Sequence, residues 1–237
     1  MKIRPAIATV ALLLSTAGLG QQKTASSAVE ITSEHHHHLF LQNAYTRVFK
    51  VEVLPHQPTL MHHHAYDYLY VTLGPAYIEN DVQGKPPVEA RLQDGEVHFA
   101  KGGFSHIAVN KADTPFRNVT IEILKPERPG GAKPAPKSER AMEIGHGVVE
   151  DTVLDNDRVC AVDIQMAPGA MLPPHSHATP HLLVAVTDLA LHRQTQGKPD
   201  DMLNEKAGGV VWVPAGGTRS VMNMGKAQAR FISVEFK

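Results

Sequence analysis

Residues 61–74 read Met-His-His-His-Ala-Tyr-Asp-Tyr-Leu-Tyr-Val-Thr-Leu-Gly, and this stretch decides how the rest of the chain is interpreted. Residues two apart on a strand share a face, so His62 and His64 project to one side together with Tyr68. Two imidazoles placed in this way can bind one metal ion without any rearrangement of a loop. The stretch therefore predicts a strand that carries a metal site, with a polar strand end of unrelated histidines as the alternative.

The second half of the chain repeats the first at an offset of 113 positions. In this register the first histidine pair falls on His175 and His177. The sequence Gln-Gly-Lys-Pro at 83–86 recurs without change at 196–199. A single register over such a length predicts a duplicated domain.

Both halves read as short strands separated by turns, and no long segment has helical periodicity. The strands that the apolar patterns predict are 46–54, 68–73, 96–100 and 118–124 in the first half, and 159–166, 181–186, 210–214 and 229–236 in the second. Upstream of the histidine pairs, Arg47-Val48 matches Arg158-Val159 once two residues are inserted before the second pair. The pattern predicts an all-β chain.

A proline-rich segment separates the two halves. Residues 125–137 contain several prolines and a Gly pair and have no apolar periodicity, which is typical of a linker. We place this linker at 125–144, between a first domain at 39–124 and a second domain at 145–237.

The composition limits the classes of function. The chain has 237 residues, 42% of them hydrophobic, and a formal net charge of −1, which allows a sizeable core and offers no basic surface for nucleic acid. Its 15 histidines are unusual, because neutral imidazoles are good metal ligands at physiological pH. Cys160, the only cysteine, lies in an apolar run and is interpreted as a packed residue. The four histidines at 35–38 are interpreted as a solvated run, with loose metal binding as the alternative.

The first residues look like an export signal. Lys2 and Arg4 precede an apolar run at 6–14, small residues follow, and cleavage is expected after Gly20 or Ala28. The run is too short to span a bilayer. We therefore expect a secreted or periplasmic protein, with a retained N-terminal helix as the alternative and with residues 21–34 as a disordered lead-in.

Each half resembles a cupin domain, so the whole chain resembles a bicupin. The cupin pattern joins a His-x-His pair and a glutamate to a second motif of glycines, a proline, a histidine and an asparagine. The first half matches it with His62, His64, Gly95, Gly103, His106 and Asn110, but has Tyr68 in place of the glutamate and Lys101 in place of the proline. The second half matches it with His175, His177, Gly208, Pro214, Gly216 and Asn223, but has His181 in place of the glutamate and Arg219 in place of the histidine.

The resemblance implies two tandem jelly-roll barrels (double-stranded β-helices), each built of two packed antiparallel sheets. It implies three imidazoles for a divalent metal ion in each barrel: His62, His64 and His106 in the first, and His175, His177 and His181 in the second. The identity of the metal (Fe, Mn, Zn, Ni or Cu) stays open. Tyr68 would serve the first site as a hydrogen-bond donor or proton carrier. Arg219 would hold a substrate carboxylate, or would be a structural residue of a degenerate barrel.

The function that the resemblance implies is a metal-dependent, oxygenase-like enzyme acting on a small organic molecule. A cupin isomerase or lyase would need the same residues. A non-catalytic extracytoplasmic module for a metal or small ligand is the main alternative, and a structural bicupin without metal is a third. We expect a small-molecule partner and no nucleic acid; a homodimer is compatible with the resemblance, although no residue in the sequence marks an interface.

Overall fold

The computed structural model describes residues 27–124 and 142–237. The predicted export signal up to residue 26 and the predicted linker from 125 to 141 lie outside the described residues. Strands dominate what is described, and its one short helix is the 3₁₀ turn Ile31–Ser33. No helix in these two ranges is long and apolar enough to cross a membrane.

The first half forms a barrel of two five-stranded sheets. Its strands are β1 (Val29–Glu30), β2 (His37–Gln42), β3 (Thr46–Val53), β4 (His62–His64), β5 (Tyr68–Leu73), β6 (Ala76–Val82), β7 (Val88–Leu92), β8 (Val97–Ala100), β9 (Phe104–Asn110) and β10 (Phe116–Ile123). One sheet has the order β1-β4-β9-β6-β7 and the other β2-β3-β10-β5-β8. The two sheets therefore pack β4 and β9 opposite β2, β3 and β10.

The second half forms a barrel of the same kind. Its strands are β11 (Met142–Glu143), β12 (Val148–Asp155), β13 (Val159–Met166), β14 (Met171–His175), β15 (His181–Ala185), β16 (Leu189–Thr195), β17 (Asp201–Glu205), β18 (Val210–Val213), β19 (Arg219–Asn223) and β20 (Ala229–Phe236). The sheets have the orders β11-β12-β13-β20-β15-β18 and β14-β19-β16-β17. The prediction of an all-β chain with two jelly-roll barrels is confirmed, and each of the eight predicted strands is present within two residues of its expected bounds.

The strand pairing confirms the duplication and corrects one part of its alignment. Val53 lies opposite Phe116 in the first barrel, and their counterparts at an offset of 113 positions, Met166 and Ala229, lie opposite each other in the second. The same offset therefore holds upstream of the histidine pairs, and the predicted two-residue insertion is wrong. The Arg-Val match that suggested the insertion is not a structural equivalence.

The barrels begin earlier than the sequence predicted. Val29–Glu30 pairs with β4, and the side chain of Ile31 is fully buried, so residues 27–34 are not a disordered lead-in. Met142–Glu143 pairs with β12, so these two residues of the predicted linker belong to the second barrel. Both short strands extend a sheet at its edge.

Successive residues of strand β3 show how the two barrels pack against each other. Phe49 packs inside the first barrel, whereas the preceding Val48 points outward into an apolar layer that contains Val159 and Leu182 of the second barrel. Burying each aliphatic side chain of this kind contributes about 1.5–3 kcal/mol. The barrels therefore share one core layer in addition to their separate interiors.

Candidate metal centre

Two neighbouring strands of the first barrel bring three histidines together. His62 and His64 come from β4, and His106 comes from β9, where it lies directly opposite His62. The turn before β9 needs Gly103, whose φ is +85° and whose N–H donates to the carbonyl of His64 at 2.7 Å. All three histidines are at most 9% exposed. The structure thus brings together the three residues that the sequence predicted for this site.

Hydrogen bonds fix the tautomer of two of these rings. His62 Nδ1 donates to the carbonyl of Leu60 at 2.9 Å, and His106 Nδ1 donates to Asn80 Oδ1 at 2.6 Å. Because these oxygens only accept, the proton is on Nδ1 and the lone pair of each ring is on Nε2. Such a partner on the far nitrogen is the usual support of a metal-binding histidine.

A fourth imidazole, His37, reaches the cluster from β2 in the opposite sheet. Its ring centroid lies 4.7 Å from that of His62, and its Nδ1 donates to Glu34 Oε2 at 2.6 Å, which leaves Nε2 free. The ligating atoms of His37, His62 and His64 all lie within 4.8 Å of one another. The cluster therefore contains four imidazoles rather than three.

The buried nitrogens of this cluster fit a cation. His64 Nε2 lies 3.1 Å from His106 Nε2, which is itself an acceptor because its ring is protonated on Nδ1. His62 Nε2 and His64 Nδ1 are buried, and neither has a hydrogen-bond partner in the described residues. Unpartnered buried polar atoms are rare and need an explanation. A divalent ion bound to these nitrogens would satisfy them.

Burial keeps these histidines neutral. It lowers the pKa of His62 to about 4 and that of His106 to about 3, and it lowers the pKa of His64 still further. The neighbouring imidazoles act in the same direction. Since metal binding requires deprotonated nitrogens, His62, His64 and His106 are in the protonation state that binds a metal at neutral pH.

Tyr68 occupies the position where the resemblance expected a glutamate. Its ring is stacked on that of His64, with centroids 4.0 Å apart and planes inclined by 15°, and its side chain is buried. Burial raises the pKa of Tyr68, so the phenol stays protonated. It supplies a wall to the site and no negative charge.

A cavity of about 70 Å³ lies beside the four imidazoles. Apart from the histidines, its polar lining includes Asn80, Asn118 and Thr120. The hydroxyl of Thr120 donates to Asn118 Oδ1 at 2.8 Å, which orients that amide. The cavity is small and suits a compound of only a few heavy atoms.

The sequence interpretation missed Glu34 and His37. The run at 35–38 is not wholly solvated, because His36 and His37 are each only 9% exposed, whereas His35 and His38 are exposed. The alternation of β2 turns His37 inward and His38 outward. Four identical residues in a row conceal this alternation, so no signal in the run itself distinguishes the inner histidine.

The second barrel places its three predicted histidines around a smaller cavity of about 40 Å³. The ring of His177 lies 5.3 Å from that of His175 and 4.1 Å from that of His181. Burial lowers the pKa of His181 to about 3. Within residues 27–124 and 142–237, however, every group of three or more closely spaced potential ligands lies in the first barrel. Metal binding by these three histidines stays a prediction.

In the second barrel, charged residues occupy the positions of two imidazoles and one amide of the first site. At the same offset of 113 positions, Arg219 stands for His106, Arg193 for Asn80 and Glu150 for His37. Arg219 Nη2 donates to two backbone carbonyls of the preceding turn, at 3.2 and 2.8 Å, while its buried Nε has no partner in the described part of the chain. Burial and Arg193 lower the pKa of Arg219. The Arg219 guanidinium favours an anion over a cation at this cavity, whereas Arg193, which also lines it, is paired with Asp201.

Comparisons with known proteins identify the fold. No family model and no curated protein matches the sequence. The structure is similar to AerE from Microcystis aeruginosa, with 15% identity, a TM-score of 0.64 and coverage of 84% of this chain and 90% of that chain. It is also similar to oxalate decarboxylase from Bacillus subtilis, with 12% identity, a TM-score of 0.60 and coverage of 81% and 68%. A cupin 2 conserved barrel domain protein from Leptotrichia buccalis gives 10% identity, a TM-score of 0.53 and coverage of 84% and 87%. At such identities the likeness shows the fold alone.

Proposed function

The chain has the fold of a bicupin, and from this premise we propose that its first barrel binds a divalent metal ion and acts on a small organic molecule. The proposed ligands are His62, His64 and His106, with His37 as a fourth imidazole from the opposite sheet. Binding through His106 Nε2 requires the hydrogen bond between this atom and His64 Nε2 to open. The observation that carries this proposal is the pair of buried nitrogens, His62 Nε2 and His64 Nδ1, which have no hydrogen-bond partner in the described residues.

The proposed chemistry is oxygenase-like. A bound divalent ion would polarise an oxygen ligand, or would activate O₂ if the metal is redox-active. The residues of the chain hold the imidazoles in one tautomer, exclude bulk water and orient the substrate. Asn118 and Thr120 offer hydrogen-bonding groups from the sheet opposite β4. A cavity of about 70 Å³ limits the substrate to a small molecule.

One similar structure supports a metal of this kind. The oxalate decarboxylase of Bacillus subtilis has Mn(II) centres. In this chain the nitrogen ligands are suited to Fe, Mn, Zn, Ni or Cu, so the identity of the metal stays open. We also propose that the protein is secreted or periplasmic. N-terminal sequencing of the mature chain tests this location.

In the second barrel we propose that Arg219 holds a carboxylate. Its buried Nε has no partner in the described residues, and its side chain lines the cavity of the second barrel. The predicted ligands His175, His177 and His181 would then provide either metal nitrogens or neutral hydrogen-bond partners for the anion. A metal count for the whole chain separates these two roles.

A non-catalytic metal-binding module is the second candidate. The site offers four imidazoles and no carboxylate that contacts the cavity, and the raised pKa of Tyr68 makes this phenol a weak acid. A site of this composition can hold a metal ion tightly without supplying an acid or base for turnover.

Metal analysis of purified variants tests the proposal. We expect His62→Ala/His64→Ala to lose one metal ion per chain relative to the wild type, and the exposed control His56→Ala to lose none. Oxygen uptake by the metal-loaded wild type in a screen of small organic acids would support the enzyme, and tight metal binding without turnover would support the module. An unchanged metal content in the double variant would refute both.

A further inference from the structure

A second group of potential metal ligands lies on the outer side of the histidine cluster. The turn between the 3₁₀ turn and β2 places Glu34, His35 and His36 side by side, and their ligating atoms all lie within 4.8 Å of one another. The rings of His35 and His36 are 4.2 Å apart. The sequence left loose metal binding by the histidine run at 35–38 as an alternative, and the proposed function uses none of these three residues as a ligand.

The carboxylate of Glu34 connects this group to the inner cluster. Its Oε2 accepts hydrogen bonds from the N–H of His36 at 3.0 Å and from His37 Nδ1 at 2.6 Å. Its Oε1 accepts one from the N–H of Leu60 at 3.2 Å. A carboxylate has about four lone-pair positions, so one position on Oε1 is left. These three hydrogen bonds fix the orientation of the carboxylate.

The remaining position on Oε1 faces His35. The distance from Oε1 to His35 Nδ1 is 3.7 Å, which is too long for a hydrogen bond. Two ligands bound to one zinc ion by bonds of about 2.0–2.2 Å lie roughly 3.3–3.6 Å apart at a tetrahedral angle. The observed separation is therefore close to that of two ligands of one ion.

His36 and His35 have the nitrogens and the exposure that such an ion needs. His36 Nδ1 donates to the carbonyl of Glu52 at 2.7 Å, which leaves Nε2 as a ligand. The side chain of His35 is 62% exposed, so an ion can enter from solvent and keep water in its open positions. Glu34, by contrast, is 2% exposed and fixed by its hydrogen bonds.

We propose that Glu34, His35 and His36 form a second divalent-cation site at the surface of the first barrel, joined to the inner cluster by the carboxylate of Glu34. Two imidazoles and one carboxylate suit zinc, manganese, iron(II) and cobalt. The outer ion would be held by Oε1 of Glu34, while Oε2 continues to support His37. This site goes beyond the proposed function, since it does not require the inner site to be catalytic.

Zinc titration of the metal-free full-length protein tests this proposal. Stoichiometry is measured by elemental analysis after gel filtration, and affinity by calorimetry with Zn²⁺ alone. We expect His35→Ala/His36→Ala to bind one Zn²⁺ per chain fewer than the wild type. The matched control is His38→Ala, which removes an exposed histidine of the same run and should bind as the wild type does.

The outcomes distinguish the two sites. His62→Ala/His64→Ala should lose the inner ion and keep the outer one, so a failure of the inner site leaves this test intact. Equal Zn²⁺ stoichiometry and affinity in His35→Ala/His36→Ala and in the wild type would overturn the outer site. If the double variant does not fold, the single variant His35→Ala, at an exposed position, replaces it in the titration. We then expect the affinity of the outer site for Zn²⁺ to fall at least roughly tenfold.

Discussion

The neutrality of the buried histidines predicts how the metal-free protein responds to acid. A histidine in an unfolded chain has a pKa of about 6.5, whereas burial lowers that of His62 to about 4 in the folded protein. Between these values the unfolded chain binds more protons than the folded one, so stability falls as the pH falls. The contribution of the neutral histidine to stability is fully present above about pH 6.5, and it declines until the pH reaches the pKa of the histidine in the folded protein.

The size of the effect follows from the shift. A pH of 5 lies about 1.5 units below the pKa of a histidine in the unfolded chain, and each unit corresponds to about 1.4 kcal/mol. Protonation of His62 in the unfolded chain therefore lowers the free energy of unfolding by about 2 kcal/mol relative to neutral pH. His106, whose pKa is lowered to about 3, accounts for a similar amount. We expect the free energy of unfolding to drop by several kcal/mol between pH 7.5 and pH 5.

Urea unfolding of the metal-free protein at both pH values measures this drop. The variant His62→Gln removes one titrating group, so its drop should be about 2 kcal/mol smaller than that of the wild type. The control His38→Gln changes an exposed histidine on the outer side of β2 and should leave the drop unchanged. An equal pH dependence in His62→Gln and the wild type would refute the neutral-cluster account.

Three further predictions address the supports of the sites. Asn80→Ala removes the acceptor of His106 Nδ1, and we expect metal affinity to fall roughly 10–100-fold in a competition titration; unchanged affinity would contradict a supporting role. Asp67→Ala breaks the 3.2 Å ion pair with Arg158 between the barrels, so the free energy of unfolding measured in urea should fall by about 1–3 kcal/mol. A decrease below about 0.5 kcal/mol, as for a surface ion pair, would contradict this prediction. Arg219→Met should abolish binding of acetate or oxalate in the second barrel as measured by calorimetry, and retained binding would remove Arg219 from the anion site.

Much of the fold could be predicted because the duplication and the apolar strands leave a clear pattern. Strands β10 and β15 are buried over nearly their whole length. Apart from its first residue, β15 reads as a continuous apolar run, and the second half of β10 alternates apolar and polar residues. Strand β7 lies at a sheet edge, and Val88 is 63% exposed there, so it has no comparable apolar run. The strands missing from the prediction are mainly of this half-exposed kind.

The misplaced insertion has a physical reason. The match of Arg47-Val48 with Arg158-Val159 follows residue identity, but strand register follows which side chains face the core. In the structure Arg47 pairs with the buried Glu122, whereas its counterpart Cys160 lies opposite Glu235 without a charge to match it. Because equivalent positions carry chemically different side chains, the common register cannot be recognised from residue identity.

The candidate site was only partly predictable. The His-x-His spacing and the turn before His106 point to three candidate ligands, because both are local patterns. His37 and Glu34 come from a segment about 25 residues upstream, and only the pairing of β1 with β4 and the packing of β2 across the barrel bring them to the site. Contacts of this kind are set by tertiary structure and leave no local pattern.

The most direct test of the central claim is the position of the metal itself. Crystals of the metal-loaded protein, measured at the absorption edge of the metal, locate the ion by its anomalous scattering. Our account predicts a strong peak within bonding distance of imidazole nitrogens of His62, His64 and His106, with His37 beside it. The absence of a peak among these histidines in crystals that contain the metal elsewhere would contradict it.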